Sequence, residues 1–154
     1  MANVERAAAA AVSTALNVQS ATLTTAVTVT STSFIDLSGM SVSITPSSVT
    51  SKVLVWVNIT TSANANLIMF NLVRDATNLA QPPANTYSAS IIHSTAAVEM
   101  DNIGLNHLDS PATISATTYK IQVRSAGGSV YVNRRSDNAT VVATSAITVM
   151  EIKQ

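Results

Sequence analysis

From Ala21 to Ile152 the chain is a succession of short runs in which apolar and β-branched residues alternate with polar ones. Each run is closed within a few residues by Ser, Thr, Gly or Pro. A period of two sends successive side chains to opposite faces of a strand. Runs this short and this closely spaced predict an antiparallel all-β domain, a jelly roll or β-sandwich of about eight to ten strands. The expected strands lie within 22–30, 34–37, 40–44, 52–60, 66–75, 87–93, 100–108, the two arms of a hairpin within 117–135, and 146–152. Ser38-Gly39 bends the chain, residues 45–48 ("TPSS") turn it, and the paired prolines of "QPPAN" (81–85) mark a loop, because Pro cannot occupy a central strand.

Two of these runs break the inside/outside rule. In 52–60 one face holds Val53, Val55, Val57 and Ile59, while the other carries Leu54 and Trp56. In 66–75 one face holds Leu67, Met69 and Val73, and the other Ile68, Phe70 and Leu72. A strand that is apolar on both faces is buried on both faces, yet a two-sheet sandwich buries only one face of each sheet. A loop or the N-terminal segment could supply the cover, but a neighbouring copy is the favoured one, which makes Leu54, Trp56, Ile68, Phe70 and Leu72 candidate subunit-interface residues. A further expectation is a β-hairpin turning at Gly127-Gly128, with Val123 facing Val132 inward and Arg124 facing Tyr131 outward. Arg124 and Tyr131 would then be either a solvated pair or an exposed contact face.

The surface chemistry agrees with assembly. Charged residues make up 10% of the 154 residues, against about a quarter in an ordinary domain. Eight basic residues balance eight acidic ones. Without clustered Lys and Arg, nucleic acid is not an expected partner, and a surface so poor in charge has little electrostatic defence against association. Cysteine is absent, so disulfides and Cys-based metal sites play no part. No apolar run is long enough to span a bilayer, so no membrane insertion is expected.

Residues 1–20 read as a short N-terminal arm preceding a sandwich over 21–154. Glu5 beside Arg6 and an Ala-rich middle are unlike a cleaved signal, so the arm is expected to be retained. Val4, Ala8, Ala11, Val12, Ala15 and Leu16 have the spacing of one helix face. A helix this short is marginal alone in water. Val4, Val12 and Leu16 are therefore the expected grip of an anchor on another protein, or of a contact with a neighbouring subunit; the alternative is a segment that packs back on its own sandwich.

No catalytic pattern emerges. His93 and His107 are the only histidines, with Glu99, Asp101 and Asp109 near them in sequence. They match no metal-ligand spacing. There is no G-x-S-x-G elbow for a serine nucleophile, and no glycine-rich phosphate loop. A glycosidase-type carboxylate pair among Glu99, Asp101 and Asp109 is a minor alternative. The expectation is a non-enzymatic protein with no catalytic, metal or cofactor site.

Several phrases together carry a resemblance: "FIDLSGMSVSITPSSVTSKVLVWVNI", "NLVRD", "HLDSPATISATTYKIQVRSAGGSVYVNRR" and the closing "SAITVMEI". They resemble a recurrent domain of tailed-bacteriophage virion proteins, the jelly-roll modules of tail-fibre tips, head fibres and capsid decoration proteins. The resemblance spans about 34–152. It implies a homotrimer on the virion exterior. Only about twenty residues precede the first expected strand, with no fibre shaft. The expected role is therefore a trimeric decoration or cement protein bound through its arm to the major capsid protein or another virion protein. The alternative is a tail-fibre or receptor-binding protein that recognises the host surface, with a surface glycan as ligand.

Overall fold

Two antiparallel sheets packed against each other take up the alternating runs. The computed structural model describes residues 17–64, 67–84, 88–93 and 99–154. Eleven strands lie among them: β1 (Val18–Leu23), β2 (Val27–Val29), β3 (Ile35–Ile44), β4 (Lys52–Ala63), β5 (Ile68–Arg74), β6 (Thr77–Leu79), β7 (Ile91–His93), β8 (Asp101–Asp109), β9 (Thr117–Ser125), β10 (Val130–Val132) and β11 (Ser145–Ile152). In the first sheet β4 is the hub. Along one edge of β4 lie β11 and then β10, end to end, flanked by β1 and β2 respectively; β8 runs along the other edge. The second sheet runs β3-β9-β5, with β6 and β7 sharing the far edge of β5.

The β-sandwich expected from the alternation is therefore present, with boundaries that differ for physical reasons. The run 22–30 is divided between β1 and β2, and β1 already includes Val18, Gln19 and Ser20, which the sequence reading assigned to the arm. The break at Ser38-Gly39 is a bulge inside one strand, with the register against β9 shifting between Asp36 and Ser41. Gly39 has φ 85°, a left-handed conformation that favours glycine, and a Cβ there would stand 2.8 Å from Leu23 Cδ1, whose methyl would have to shift.

The core lies between the sheets. Val53, Val55, Val57 and Ile59 of β4 and Ile147 and Val149 of β11 face Ile68, Phe70 and Leu72 of β5 and Tyr119, Ile121 and Val123 of β9; each is at most 1% exposed. Burying each aliphatic or aromatic side chain contributes about 1.5–3 kcal/mol. This placement corrects one expectation: Ile68, Phe70 and Leu72 are core residues and form no outer face. The opposite side of β5 is closed within the chain as well. Met69 and Val73 are buried there, beside the long Arg124 and Lys120 side chains that are their register partners. Ser90 folds over Asn71, its amide donating to Asn71 Oδ1 at 3.2 Å, while the Leu72 amide donates to Ser90 Oγ at 3.0 Å.

The hairpin is corrected too. β9 pairs with β3 and β5, whereas β10 pairs with β4 and β2. The Gly127-Gly128 turn, with φ 142° and 80°, carries the chain from one sheet to the other. Val123 and Val132 both point inward, but from opposite layers. Arg124 and Tyr131 do not face each other. The Arg124 guanidinium lies 5.4 Å from the Phe34 ring centroid, and Tyr131 stacks with Arg134 at 4.3 Å.

Three polar clusters fasten the layers and loops. Buried Asn133, at φ 61°, donates from Nδ2 to the carbonyls of Leu23 (2.7 Å) and Thr25 (3.2 Å) and accepts from Ser145 Oγ at 2.6 Å. At the other end of the sandwich, Arg74 Nη1 donates to both Asp109 oxygens at 2.8 and 2.7 Å, and the Tyr119 hydroxyl donates to Asp109 Oδ2 at 2.7 Å. That triplet joins β8 of one sheet to β5 and β9 of the other. Burial, with Asp109 beside it, pushes the Tyr119 phenol well above its ordinary pKa, and the hydrogen bond to Asp109 raises that of Arg74. Third, Glu151 occupies an inward position of β11 and is closed over by Ser47, Ser51 and Asn17.

Candidate interaction surface

Strand pairing assembles an apolar stripe that no single strand displays. Directly opposed residues point to the same side of a sheet. On the outer face of the first sheet one row runs Val18 (β1), Met150 (β11), Leu54 (β4), Leu108 (β8). The next row runs Ser20, Thr148, Trp56, Asn106. Trp56 is 65% exposed, Leu108 50% and Val18 38%. Leu54 and Met150 are half-buried. Neither row contains a charged residue. Four strands about 4.8 Å apart make this face about 14 Å wide between its outer strand axes.

The chain covers the other half of the same face itself. Thr60 and Ser62 also point outward from β4, yet both are buried. The loop after β10 crosses them: Thr60 Oγ1 donates to the Thr144 carbonyl at 3.1 Å and Ser62 Oγ to the Arg134 carbonyl at 2.7 Å. Tyr131, in register with Ser62, lies under the Arg134 guanidinium. Among the described residues, cover therefore ends near Asn58, and Trp56 and Leu54 lie beyond it. Of the five residues expected at a subunit interface, these two are on this surface.

The remaining sequence candidates are dispersed. His93 Nε2 meets Asp101 Oδ2 at 2.9 Å, joining β7 to the start of β8. Asp109 closes the far end of β8, about 26 Å away at the rise of a strand, where it holds Arg74 and Tyr119. A glycosidase pair needs carboxylates within about 10 Å, so Asp101 and Asp109 are not such a pair. His107 is half-buried opposite Val55, and Glu99 is exposed. No group of three His, Asp or Glu side chains converges among the described residues. Arg124 and Tyr131 lie on the outer faces of different sheets and do not form one contact face. Val4, Val12 and Leu16 lie outside the described residues. Val18, Leu108 and Met150 were not singled out from sequence, because an outward apolar residue gains meaning only beside its cross-strand neighbours.

The chain matches no protein-family model and no curated protein sequence.

Proposed function

We propose that this chain is a non-enzymatic structural subunit of a bacteriophage virion, assembled as a homotrimer that decorates or cements the capsid exterior. The observation that supports assembly is the row of outward apolar side chains Val18, Met150, Leu54 and Leu108 beside the exposed Trp56. An exposed tryptophan flanked by Leu54, Leu108, Val18 and Met150 adds nothing to its own core, and burying such residues contributes about 1.5–3 kcal/mol each. Closed cyclic oligomers are the standard way to hide a patch of this kind. The virion setting rests on the sequence resemblance. In a cyclic trimer the copies are parallel, so the three Asn17 residues lie at the same end, which is the proposed attachment to the capsid.

Light scattering tests the assembly. A trimer of 16.0 kDa chains has a mass of about 48 kDa, and a monomer at micromolar concentration overturns the reading. Trp56→Asp should give a folded monomer, with stability changed by less than about 1 kcal/mol because the side chain lies outside the core. Labelling the protein on particles tests the setting. Many copies over the head support decoration; a few copies at the tail favour the receptor-binding alternative; no copies on particles reject a virion role.

A further inference from the structure

At the end of the sandwich where β1 begins, one inward row of the first sheet is built from carboxylates. Glu151 of β11 is in register with Val53 of β4, and Val53 with Asp109 of β8. All three are buried. Opposed residues share a face of the sheet, and two strand spacings put the two acid-bearing strands about 10 Å apart. The next inward row, Val149, Val55 and His107, and the one after it, Ile147, Val57 and Leu105, carry no acid. The inner faces of packed sheets form the apolar core, so this end is closed by charge where the middle is closed by apolar packing.

The donors to this row come from four separate segments. Glu151 accepts from the Ser47 amide and hydroxyl and the Ser51 hydroxyl, in the loop 45–51, and from Asn17 Nδ2 just before β1. Asp109 accepts from Arg74 on β5 and the Tyr119 hydroxyl on β9. One acid ties down the loop and the start of β1, and the other ties the first sheet to the second. An ionised carboxylate only accepts, whereas its acid form must also donate. Three donors already crowd Glu151 Oε1, so an added proton falls on Oε2, against the Asn17 amide that also donates to the Thr45 carbonyl. At Asp109 it falls against Arg74, which cannot accept, or displaces the Tyr119 hydroxyl. Among the described residues, β1, β3, β4 and the loop bring no titratable side chain to Glu151, since Lys52 points outward. Asp109 is faced by Arg74, Tyr119 and His107, with Asp75 in the turn after β5.

We propose that the row of Glu151, Val53 and Asp109 is an acid-released latch: when both carboxylates are neutralised, the loop 45–51 and the start of β1 come free and the two sheets part at this end, while the rest of the sandwich stays folded. The middle keeps its apolar contacts, from Val57 and Ile59 to Phe70 and Val123, and the Asn133 cluster is held by neutral groups. The sign follows from Glu151. Its donors, Ser47 and Ser51 first, hold the carboxyl at about 2, below its usual 4.5, so its grip is complete above about pH 4.5 and is lost as the pH falls through about 2. The latch does not depend on the assembly reading; where that reading holds, it sits at the end proposed for attachment.

Hydrogen exchange read segment by segment tests this on the full chain. The Glu151→Gln/Asp109→Asn variant is compared with the unaltered protein at pH 7, which leaves every other group in its neutral-pH state. Protection is expected to fall about tenfold or more in 17–20, 47–53 and 117–120, and less than about threefold in 57–63 and 130–132. The unaltered chain taken from pH 7 to pH 2, with exchange corrected for its intrinsic pH dependence, is expected to lose protection in the same segments first. Equal loss along the whole chain, or unchanged protection at this end, would overturn the latch. If the double variant does not fold, the acid series on the unaltered chain decides on the same two outcomes. Asp101→Asn removes the carboxylate that meets His93 at the opposite end and serves as the control. It should leave 17–20 and 47–53 as protected as before; equal opening there would mean that losing any acid loosens the fold, and the latch fails.

Discussion

Replacing Glu151 with Gln isolates a single buried carboxylate that reports on how the sandwich is closed. Oε1 accepts from the Ser47 amide at 2.7 Å, Ser47 Oγ at 2.6 Å and Ser51 Oγ at 2.6 Å; Oε2 accepts from Asn17 Nδ2 at 3.2 Å. These donors, the two serine hydroxyls foremost, hold the carboxyl at about 2, below its usual 4.5. A difference of about 2.5 units at about 1.4 kcal/mol per unit amounts to roughly 3 kcal/mol. Ser47 is exposed to water, which screens part of this, so about 2 kcal/mol is the working figure. The folded-state pKa is depressed. The contribution is therefore fully present above about pH 4.5 and is lost as the pH falls through about 2. Urea titrations of both proteins at intervals from pH 7 to pH 2 measure it. The wild-type advantage over Glu151→Gln should be about 2 kcal/mol at pH 7 and shrink steeply below pH 4.5. An advantage that stays constant across this range would refute the reasoning, because it would then owe nothing to the charge.

Asn133→Ala removes three hydrogen bonds from a buried site and places alanine in the left-handed region, which should cost about 3 kcal/mol or more and lower the melting temperature by roughly 10 °C in calorimetry. Because Arg124 and Tyr131 lie on different sheets, an Arg124→Ser/Tyr131→Ser double-mutant cycle should be additive within about 0.5 kcal/mol. The Tyr131/Arg134 cycle should show a coupling of about 0.5–1 kcal/mol from the stacked guanidinium. Equal coupling in both cycles, measured by urea denaturation, would contradict the sheet assignment.

The two halves of the outer face show how a low-charge surface is managed. Where the loop 133–144 crosses, outward Thr60 and Ser62 satisfy that loop's backbone carbonyls and are sealed by it. Beyond that loop, the outward residues of β4 are Lys52, Leu54, Trp56 and Asn58. One half has polar side chains because the chain's own backbone must be hydrogen-bonded there. The other half mixes the apolar row of Val18, Met150, Leu54 and Leu108 with Trp56 and its polar row partners, and among the described residues no loop crosses it.

The alternation of Val53, Val55, Val57 and Ile59, or of Ile121 and Val123, by itself determined the all-β class and the inward set, because a period of two is a local property of the backbone. Glu151 falls in line with Ile147 and Val149, but that a buried polar cluster surrounds it came only from the structure, which brings Ser47, Ser51 and Asn17 to it. Which sheet each strand joins was decided only by the tertiary structure. "VRSAGGSVYV" reads as a hairpin because a positive-φ turn between two alternating runs is compatible with direct pairing; the same turn also lets the chain step between layers, and β3, β5, β2 and β4 claim the edges that a hairpin would have used. The double-sided pattern of β5 likewise does not say which face is inner or what covers the outer one. The stripe of Val18, Met150, Leu54 and Leu108 could be assembled only from the strand order, since its members are brought together by hydrogen bonds between segments far apart in the chain and no local pattern encodes that pairing.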